Sequence, residues 1–569
     1  MTSPLRRLTG RRRPGSTPDT TAGPPTAAAK TAKAAKTSTA DTRTLIRRSL
    51  RSHAETPGRP TSTATVALAA GPRLRAGLAW EWSQVDLEPD TWRETLARDD
   101  LDLCVLELDG STISGWTDGP SPLEVAAVAA EHTVPVVAWL TGPDPDGAAR
   151  TTVERLAAAG VEVRFLPPAT QPRQQSAAHP PETRRPGDIV LLDGRGSPEA
   201  APVLARTRTE VLHDWRRTGT GGTAAPSPEQ PLLAQYRVLA DVGLRQPDDS
   251  WPVLDALASR TAVVTTPERR AQLPADLQPV VSAPPPEALN RHLTVLLRQP
   301  ELRDRVTHLA HRTVLSGHSL ADRARDLLRA GGLEAPAPSR TVSVVVPTNR
   351  PHQLANVLDN VARQQRVDAQ LVLVAHGIEV DRADLAARAA DLGIAELQVL
   401  SAAPELTLGA ALNLGIDASD GAYVAKMDDD NFYGAHFLGD LVDAFGHTSA
   451  GITGKWAHYV WLRSNGAVVL RFGGFENTYH RLVQGGSIVT HRDVAEDLRF
   501  SDIPRAVDSD FLNRAMAAGV STYSGDRYNF VSIRSHDRTG HTWQVDDAIF
   551  MSGSGRVVTY GDPRELVSV

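Results

Sequence analysis

From Thr341 the chain reads TVSVVVPTNRP, an apolar, β-branched run that stops at Pro347. Such a run predicts a buried parallel strand whose carboxyl end faces a ligand. Leu354, Val357, Leu358 and Val361 then recur at helical spacing. Gln370–Val374 (QLVLV) predicts the next strand, Asp381–Leu392 the next helix, Ala422–Met427 a further strand and Phe511–Ala518 a later helix. Between them Gly451–Gly474, GITGKWAHYVWLRSNGAVVLRFGG, holds two β-like runs joined around Ser464-Asn465-Gly466, which predicts a hairpin. Toward the N-terminus, Thr65–Ala70, Ala76–Trp80, Asp102–Leu108, Val134–Leu140, Val161–Leu166, Asp188–Leu192 and Thr261–Thr265 predict strands, and Glu287–Ala330 is helical in pattern. Alternating β and α elements predict an α/β protein with mostly parallel, doubly wound sheets that bind ligands at their carboxyl edges. Gly331–Arg340 (GGLEAPAPSR) reads as a linker, so the expected organisation is a tail over 1–60, one α/β domain over 61–335 and another over 340–569.

Composition bounds the setting. With 569 residues, 41% hydrophobic and 22% charged, the chain is long enough for two or three domains with proper cores. No run of eighteen apolar residues occurs, and MTSPLRRLTGRRRPGS has no apolar segment after its arginines, which predicts neither a membrane anchor nor a signal peptide. One cysteine, Cys104, lies inside the apolar run Leu101–Leu108, which excludes an intramolecular disulfide framework and a Cys-based zinc site. A soluble, cytoplasmic protein is the expectation. The first sixty residues carry thirteen Lys and Arg against three acids, leaving about −16 of the overall −6 on the rest of the chain. That tail is expected to be disordered, with at most a peripheral contact to anionic lipid at the inner face of the membrane, and nothing in the remaining chain marks specific nucleic-acid binding.

The chemistry concentrates in Gly421–Gly434, GAYVAKMDDDNFYG, where three aspartates leave the end of a predicted strand. Hard carboxylate oxygens at a strand end suit Mg²⁺ or Mn²⁺ holding a diphosphate, although an acidic surface turn has the same composition. Lysine usage is a separate signal, because in this arginine-rich chain Lys occurs at Lys30, Lys33 and Lys36 in the tail and elsewhere at Lys426 and Lys455, flanking those acids. A compact ammonium kept there suggests contact with a phosphate or a sugar hydroxyl. Trp456 is a candidate to stack on a sugar, though hairpin aromatics also pack across strands.

Together VSVVVPTNRP, LGAALNLGIDASDGAYVAKMDDDN (Leu408–Asn431) and VDSDFLNRAMAAG (Val507–Gly519) resemble, in order, the motifs of the metal-dependent glycosyltransferases of family 2, from Thr341 to about Trp543. The resemblance implies a GT-A fold, a nucleotide-sugar donor with UDP-sugar as first choice, and inverting transfer to an acceptor hydroxyl. It implies Asp428 and Asp430 as metal ligands with Asp429 nearby, and Asp508 as the base that deprotonates the acceptor. Val507 stands where the family has Glu. Pro347, Thr348 and Asn349 are implied to face the nucleoside, Arg350 to approach a phosphate, and Asn413 to join the donor-binding set. His376 stands where the family reads uracil with Asp, and a neutral His can donate or accept there. The third metal ligand is implied to be a downstream histidine, His541 ahead of His536.

Tyr236–Pro267 with the helical stretch after it resembles the donor half of group 1, GT-B-type glycosyltransferases of the spore-maturation CgeB kind, with Asp255 for the usual Glu and Arg260 for the usual Gly. A degenerate accessory domain is implied, one that binds the acceptor, a partner or a second copy of the protein, and a second working transferase remains the alternative. The Gly-rich Thr218–Thr223 reads as a connector. Two other classes share the sheet and acids of the C-terminal region. A nucleotidyltransferase would want a Gly-rich basic loop where PTNRP stands, and a non-catalytic sugar-nucleotide-binding scaffold would tolerate the missing Glu. The acceptor, whether glycan, lipid, protein or small molecule, is open, with cell-surface glycan or glycoconjugate synthesis the expected setting.

Overall fold

The computed structural model describes residues 62–116, 119–141, 147–176, 178, 185, 187–192, 203, 209–212, 233–242, 250–534 and 547–569. The basic tail, Thr218–Thr223, His536 and His541 lie outside the described residues.

Two separate parallel sheets form the N-terminal part, where the sequence had suggested one doubly wound region. The first runs Ser83–Asp86, Thr65–Ala69, Leu103–Asp109, Val136–Leu140 and Glu162–Phe165, with Thr112–Ile113 antiparallel on Leu103–Asp109. In the second the order is Ala262–Thr265, Tyr236–Asp241, Gly187–Leu192 and Thr209–Leu212. Ala76–Trp80 does not form the expected strand. Pro72–Leu78 is a helix that starts on Pro72 and buries Leu74, Gly77 and Leu78 at positions i, i+3 and i+4. The strand follows at Ser83–Asp86, a polar edge strand with no apolar run to announce it. Helices Leu289–Arg298, Pro300–Leu315 and Leu320–Ala330 account for the predicted helical stretch. Arg260 has φ 55°, left-handed backbone for which glycine is the ordinary residue. Asp255 is buried and engaged by Arg73 at 2.5 Å and by Thr170 at 2.7 Å.

The C-terminal part is built on an eight-stranded sheet of order Glu396–Ala402, Asp368–His376, Thr341–Thr348, Tyr423–Lys426, Val489–His491, Ile452–Gly454, Thr522–Ser524 and Thr478–Tyr479. The first four strands are parallel. Val342, Val344 and Val346 face one core with Val357, Leu358 and Phe437, and Val345 faces the other with Ala411, Leu412 and Phe511. Burial on both faces explains the unbroken apolar run. The chain goes from Thr341–Thr348 to Asp368–His376 on one side and later to Tyr423–Lys426 on the other, so the strand order switches at Thr341–Thr348, where open α/β sheets form their ligand crevice beyond the carboxyl ends of the strands. A second sheet contains the predicted hairpin, His458–Leu462 antiparallel to Ala467–Arg471, beside Phe530–Arg534.

Helix Pro300–Leu315 meets the C-terminal part through buried charges. Arg312 donates to both oxygens of Asp440, at 2.8 and 2.7 Å, and Arg366 donates to Asp440 and Asp443. Arg527, on the C-terminal side, pairs with Glu476 and with Glu301 and Asp304 of that helix. Although burial opposes its charge, His308 and Arg312 hold the Asp440 carboxyl well below the usual range. No helix among the described residues is long and apolar enough to cross a membrane.

Candidate active site

The strand Tyr423–Lys426 delivers Asp428, Asp429 and Asp430 to the crevice, and asparagines fix the turn that follows. Asn356 donates to the carbonyls of Asp429 (2.7 Å) and Asn431 (3.1 Å), and Asn360 donates to that of Asn431 at 2.9 Å. The Asn431 side chain in turn accepts from the Ile533 amide. Tyr433, fully buried, accepts the Asp428 amide at 2.8 Å and donates to the Gly486 carbonyl at 2.7 Å. The acidic turn is therefore held by side chains of helix Leu354–Ala362, by Tyr433 and by the backbone of Phe530–Arg534.

The three acids differ in what they face. Asp429 is 3% exposed, accepts from Thr348 Oγ1 at 2.5 Å and from Arg350 Nε at 3.0 Å, and burial pushes its carboxyl up against those bonds. Asp430 accepts from Arg350 Nη1 at 2.8 Å. Asp428 is the most open, with a third of its side chain exposed; its Oδ1 lies 2.7 Å from Lys426 Nζ and its Oδ2 3.2 Å from Asn431 Nδ2. These are oxygen donors only, the set that hard divalent cations prefer.

Asp508 reaches the same place from eighty residues downstream, on the first turn of helix Val507–Ala517. Lys426 Nζ lies 3.4 Å from its Oδ1, an oxygen sealed from solvent. Burial pushes the Asp508 carboxyl up, Lys426 pulls it down, and the charge on Asp428 adds to the rise. Burial works against the Lys426 ammonium, yet Asp428 and Asp508 outweigh it and keep the group protonated far above neutrality. Val507, in the place of the family's Glu, is a core side chain. Asp510 is structural, since it accepts from Ser501 (2.6 Å) and from Arg514 (2.8 Å), which lower its carboxyl.

Gly485 and Gly486 were not singled out in the sequence, yet they back both carboxylates. A Cβ on Gly485 would stand 2.0 Å from Asp508 Oδ2, and one on Gly486 2.3 Å from Asp428 Oδ2. The pair is a cradle that any side chain would fill. Its only sequence signal is the dipeptide itself, in QGGS.

Several predicted site residues have other duties. Lys455 is fully buried and spends its ammonium on Asp526, donating to Oδ1 at 2.9 Å and to the carbonyl at 3.1 Å, and its backbone holds Gln484 and Ser487 beside the glycine pair. Trp456 stacks on Phe472 (4.3 Å, 14°) and on His480 (5.1 Å, 19°), so its ring is engaged by protein rings instead of standing ready for a sugar. Asn413 spends its amide on the Phe500 backbone, donating and accepting at 2.9 Å. Lys426 points between two carboxylates and is 4% exposed, which removes it from direct phosphate contact. Pro347, Thr348 and Asn349 do end the central strand at the crevice, Asn349 exposed, and Arg350 spans Asp429 and Asp430. His376 ends the neighbouring strand with Nε2 buried and without a hydrogen bond.

Among the described residues, His308, Asp440 and Asp526 bring three ligand-type atoms within 4.8 Å of one another. Its acids are already neutralised by Arg312, Arg366 and Lys455, so it is a buried ion network more than a vacancy for a dication.

Residues 343–490 match the model of glycosyl transferase family 2, which bears out the resemblance from the central strand through Val489–His491 and its acidic turn. The later acidic motif at Val507–Gly519 lies beyond the matched residues. No curated protein matches the sequence. Solved structures with similarity to the chain include the mannosyltransferase PcManGT from Pyrobaculum calidifontis in complex with GDP-Man and Mn²⁺, at 17% identity and TM-score 0.29 over 36% of this chain and 62% of that one. S. aureus TarS 1-349 in complex with UDP-GlcNAc matches at 16% identity and TM-score 0.29 over 35% and 59%. Glucosyl-3-phosphoglycerate synthase from Mycobacterium tuberculosis, with Mn²⁺, UDP and glucosyl-3-phosphoglycerate, matches at 18% and 0.26 over 36% and 79%. The chain spans about three-fifths of the length of the first two.

Proposed function

We propose that the protein is a cation-dependent, inverting glycosyltransferase that moves a sugar from a nucleoside diphosphate to an acceptor hydroxyl. One observation carries this reading. Asp428 and Asp508, eighty residues apart in sequence, meet at one buried ammonium on the carboxyl edge of the sheet. The glycine cradle and the carboxylate oxygens fit a Mg²⁺ or Mn²⁺ ion held by Asp428 and Asp430, with His541 the candidate third ligand through a ring nitrogen. Bound there, the cation would neutralise charge developing on the leaving diphosphate.

The chain's own groups do the remaining work. Asp508 takes the proton of the acceptor hydroxyl, and its raised affinity for a proton suits a general base. Attack by that oxygen on the anomeric carbon, opposite the departing diphosphate, inverts the configuration. Thr348 and Arg350 fix Asp429 and so the wall of the crevice. Pro347, Thr348, Asn349 and His376 we assign to the nucleoside side, where a neutral imidazole can donate to or accept from a base edge. UDP is the first nucleotide to test. The N-terminal sheets we assign an accessory role toward the acceptor, a partner or a second copy, and the setting we infer is cytoplasmic, with the basic tail toward the inner membrane face.

The test is nucleoside diphosphate release by the full chain from UDP-, GDP-, CDP- and dTDP-sugars with Mn²⁺, Mg²⁺ or EDTA. Metal-dependent release from one donor, abolished by Asp508→Asn with donor binding kept, is expected. Donor binding with no loss on Asp508→Asn would favour the scaffold reading.

A further inference from the structure

The geometry points to Lys426 as a positioning residue that fixes the base Asp508 against the cation-holding Asp428, not as a donor contact. This inference rests on the transferase reading above. Lys426 leaves the central sheet with its side chain 4% exposed and puts Nζ 2.7 Å from Asp428 Oδ1 and 3.4 Å from Asp508 Oδ1. A buried ammonium between two carboxylates is worth keeping only if both acids are needed in fixed places, since burying any of the three alone is costly.

The two acids depend on it unequally. Asp428 is also held by Asn431 at its other oxygen, and its backbone is tied to Tyr433. Asp508 Oδ1 has no hydrogen bond, and Oδ2 rests against the bare Cα of Gly485. Lys426 is thus the attraction that keeps Asp508 turned toward the crevice, and Gly485 is the stop. Loss of the ammonium releases the base while the acid that serves the cation keeps its place.

Crystal structures of the parent protein and of Lys426→Met test this without any turnover. In the variant the Asp508 carboxylate is expected to leave its place by more than about 1 Å, a displacement of the size that costs catalysis, while Asp428 stays on Asn431. Both carboxylates unmoved would overturn the inference. In turnover, Lys426→Met is expected to lower kcat about 100-fold, with donor KM and the Mn²⁺ requirement little changed. Added to Asp508→Asn, the same substitution is expected to cost nothing more. That double variant also restores charge balance should the single one fold poorly. Additive losses would overturn the inference. An Asp508→Asn enzyme as active as the parent would instead sink the base assignment, and the crystallographic result would still decide what Lys426 holds.

Discussion

Gly485→Ala and Gly486→Ala differ by one position and are expected to fail in different steps. Neither glycine has left-handed backbone, so alanine is accepted by the main chain and the effect is steric. At 485 the new Cβ would lie 2.0 Å from Asp508 Oδ2 and 2.5 Å from its Cγ. An ordinary carbon–oxygen approach is about 3.3 Å, so the carboxylate must retreat by about 1 Å or more. The obstacle is the end of a side chain, which can turn, so the fold loses only about 1 kcal/mol, the low end of overpacking. A misplacement of that size at a reacting group costs about 100-fold in rate, about 2.7 kcal/mol of barrier. At 486 the new methyl would press Asp428 Oδ2 at 2.3 Å and Tyr433 Oη at 3.0 Å. Here the loss is expected in the Mn²⁺ concentration for half-maximal activity and in donor KM. The assay is diphosphate release against donor and against Mn²⁺, with thermal unfolding to show that both variants fold. If Gly485→Ala keeps its kcat, or if both variants lose only stability, the assignment of the two carboxylates to base and cation is wrong.

Asp430→Asn and Asp428→Asn are each expected to weaken Mn²⁺-dependent donor binding about tenfold or more, read by calorimetry with and without EDTA. Arg312→Met leaves the Asp440 carboxylate buried with one partner fewer and is expected to cost about 3–5 kcal/mol in denaturant unfolding. For the same reason a fragment that begins near Ser339 is expected to unfold more easily than the full chain, having lost Arg312, Glu301 and Asp304 together. Acid should also destabilise the protein through buried histidines. Burial lowers His447 and His458 to about 4, below the unfolded value near 6.5. Stability is therefore complete above about pH 6.5 and lost as pH falls toward 4, about 2 kcal/mol per histidine between pH 7 and pH 5. His458→Gln should flatten that limb in unfolding measured across pH.

Much of the site could be read along the chain because its parts are local signals. Val342–Val346 announce a two-sided strand, Asp428–Asp430 sit where a strand ends, and Ser464-Asn465-Gly466 closes a hairpin as its turn chemistry requires. Asp508 needed a family pattern, since one acid ahead of a helix has many structural uses, and Asp510 two residues on has one of them. What stayed hidden depends on distance in sequence. Gly486 lies 53 residues from the Tyr433 hydroxyl it accepts from, and Arg312 lies 128 residues from Asp440. No periodicity encodes such pairings. Lys455 and Trp456 were singled out by rarity and by residue type, and neither tells whether a side chain faces the crevice or a buried partner; Lys455 faces Asp526 and Trp456 faces two rings. Ala76–Trp80 misled because its apolar letters also satisfy the helix begun by Pro72.

The asparagines behind the acidic turn have a thermodynamic consequence. Asn356, Asn360 and Asn431 tie the turn to a helix and to the strand Phe530–Arg534 with bonds that ask nothing of a ligand. A flexible turn of this length would give up on the order of 1–2 kcal/mol of backbone entropy per residue each time a cation arrived. Here that loss belongs to folding and is suffered once. A cation and donor would then meet a turn already in its final shape, and none of their binding energy is spent on ordering it.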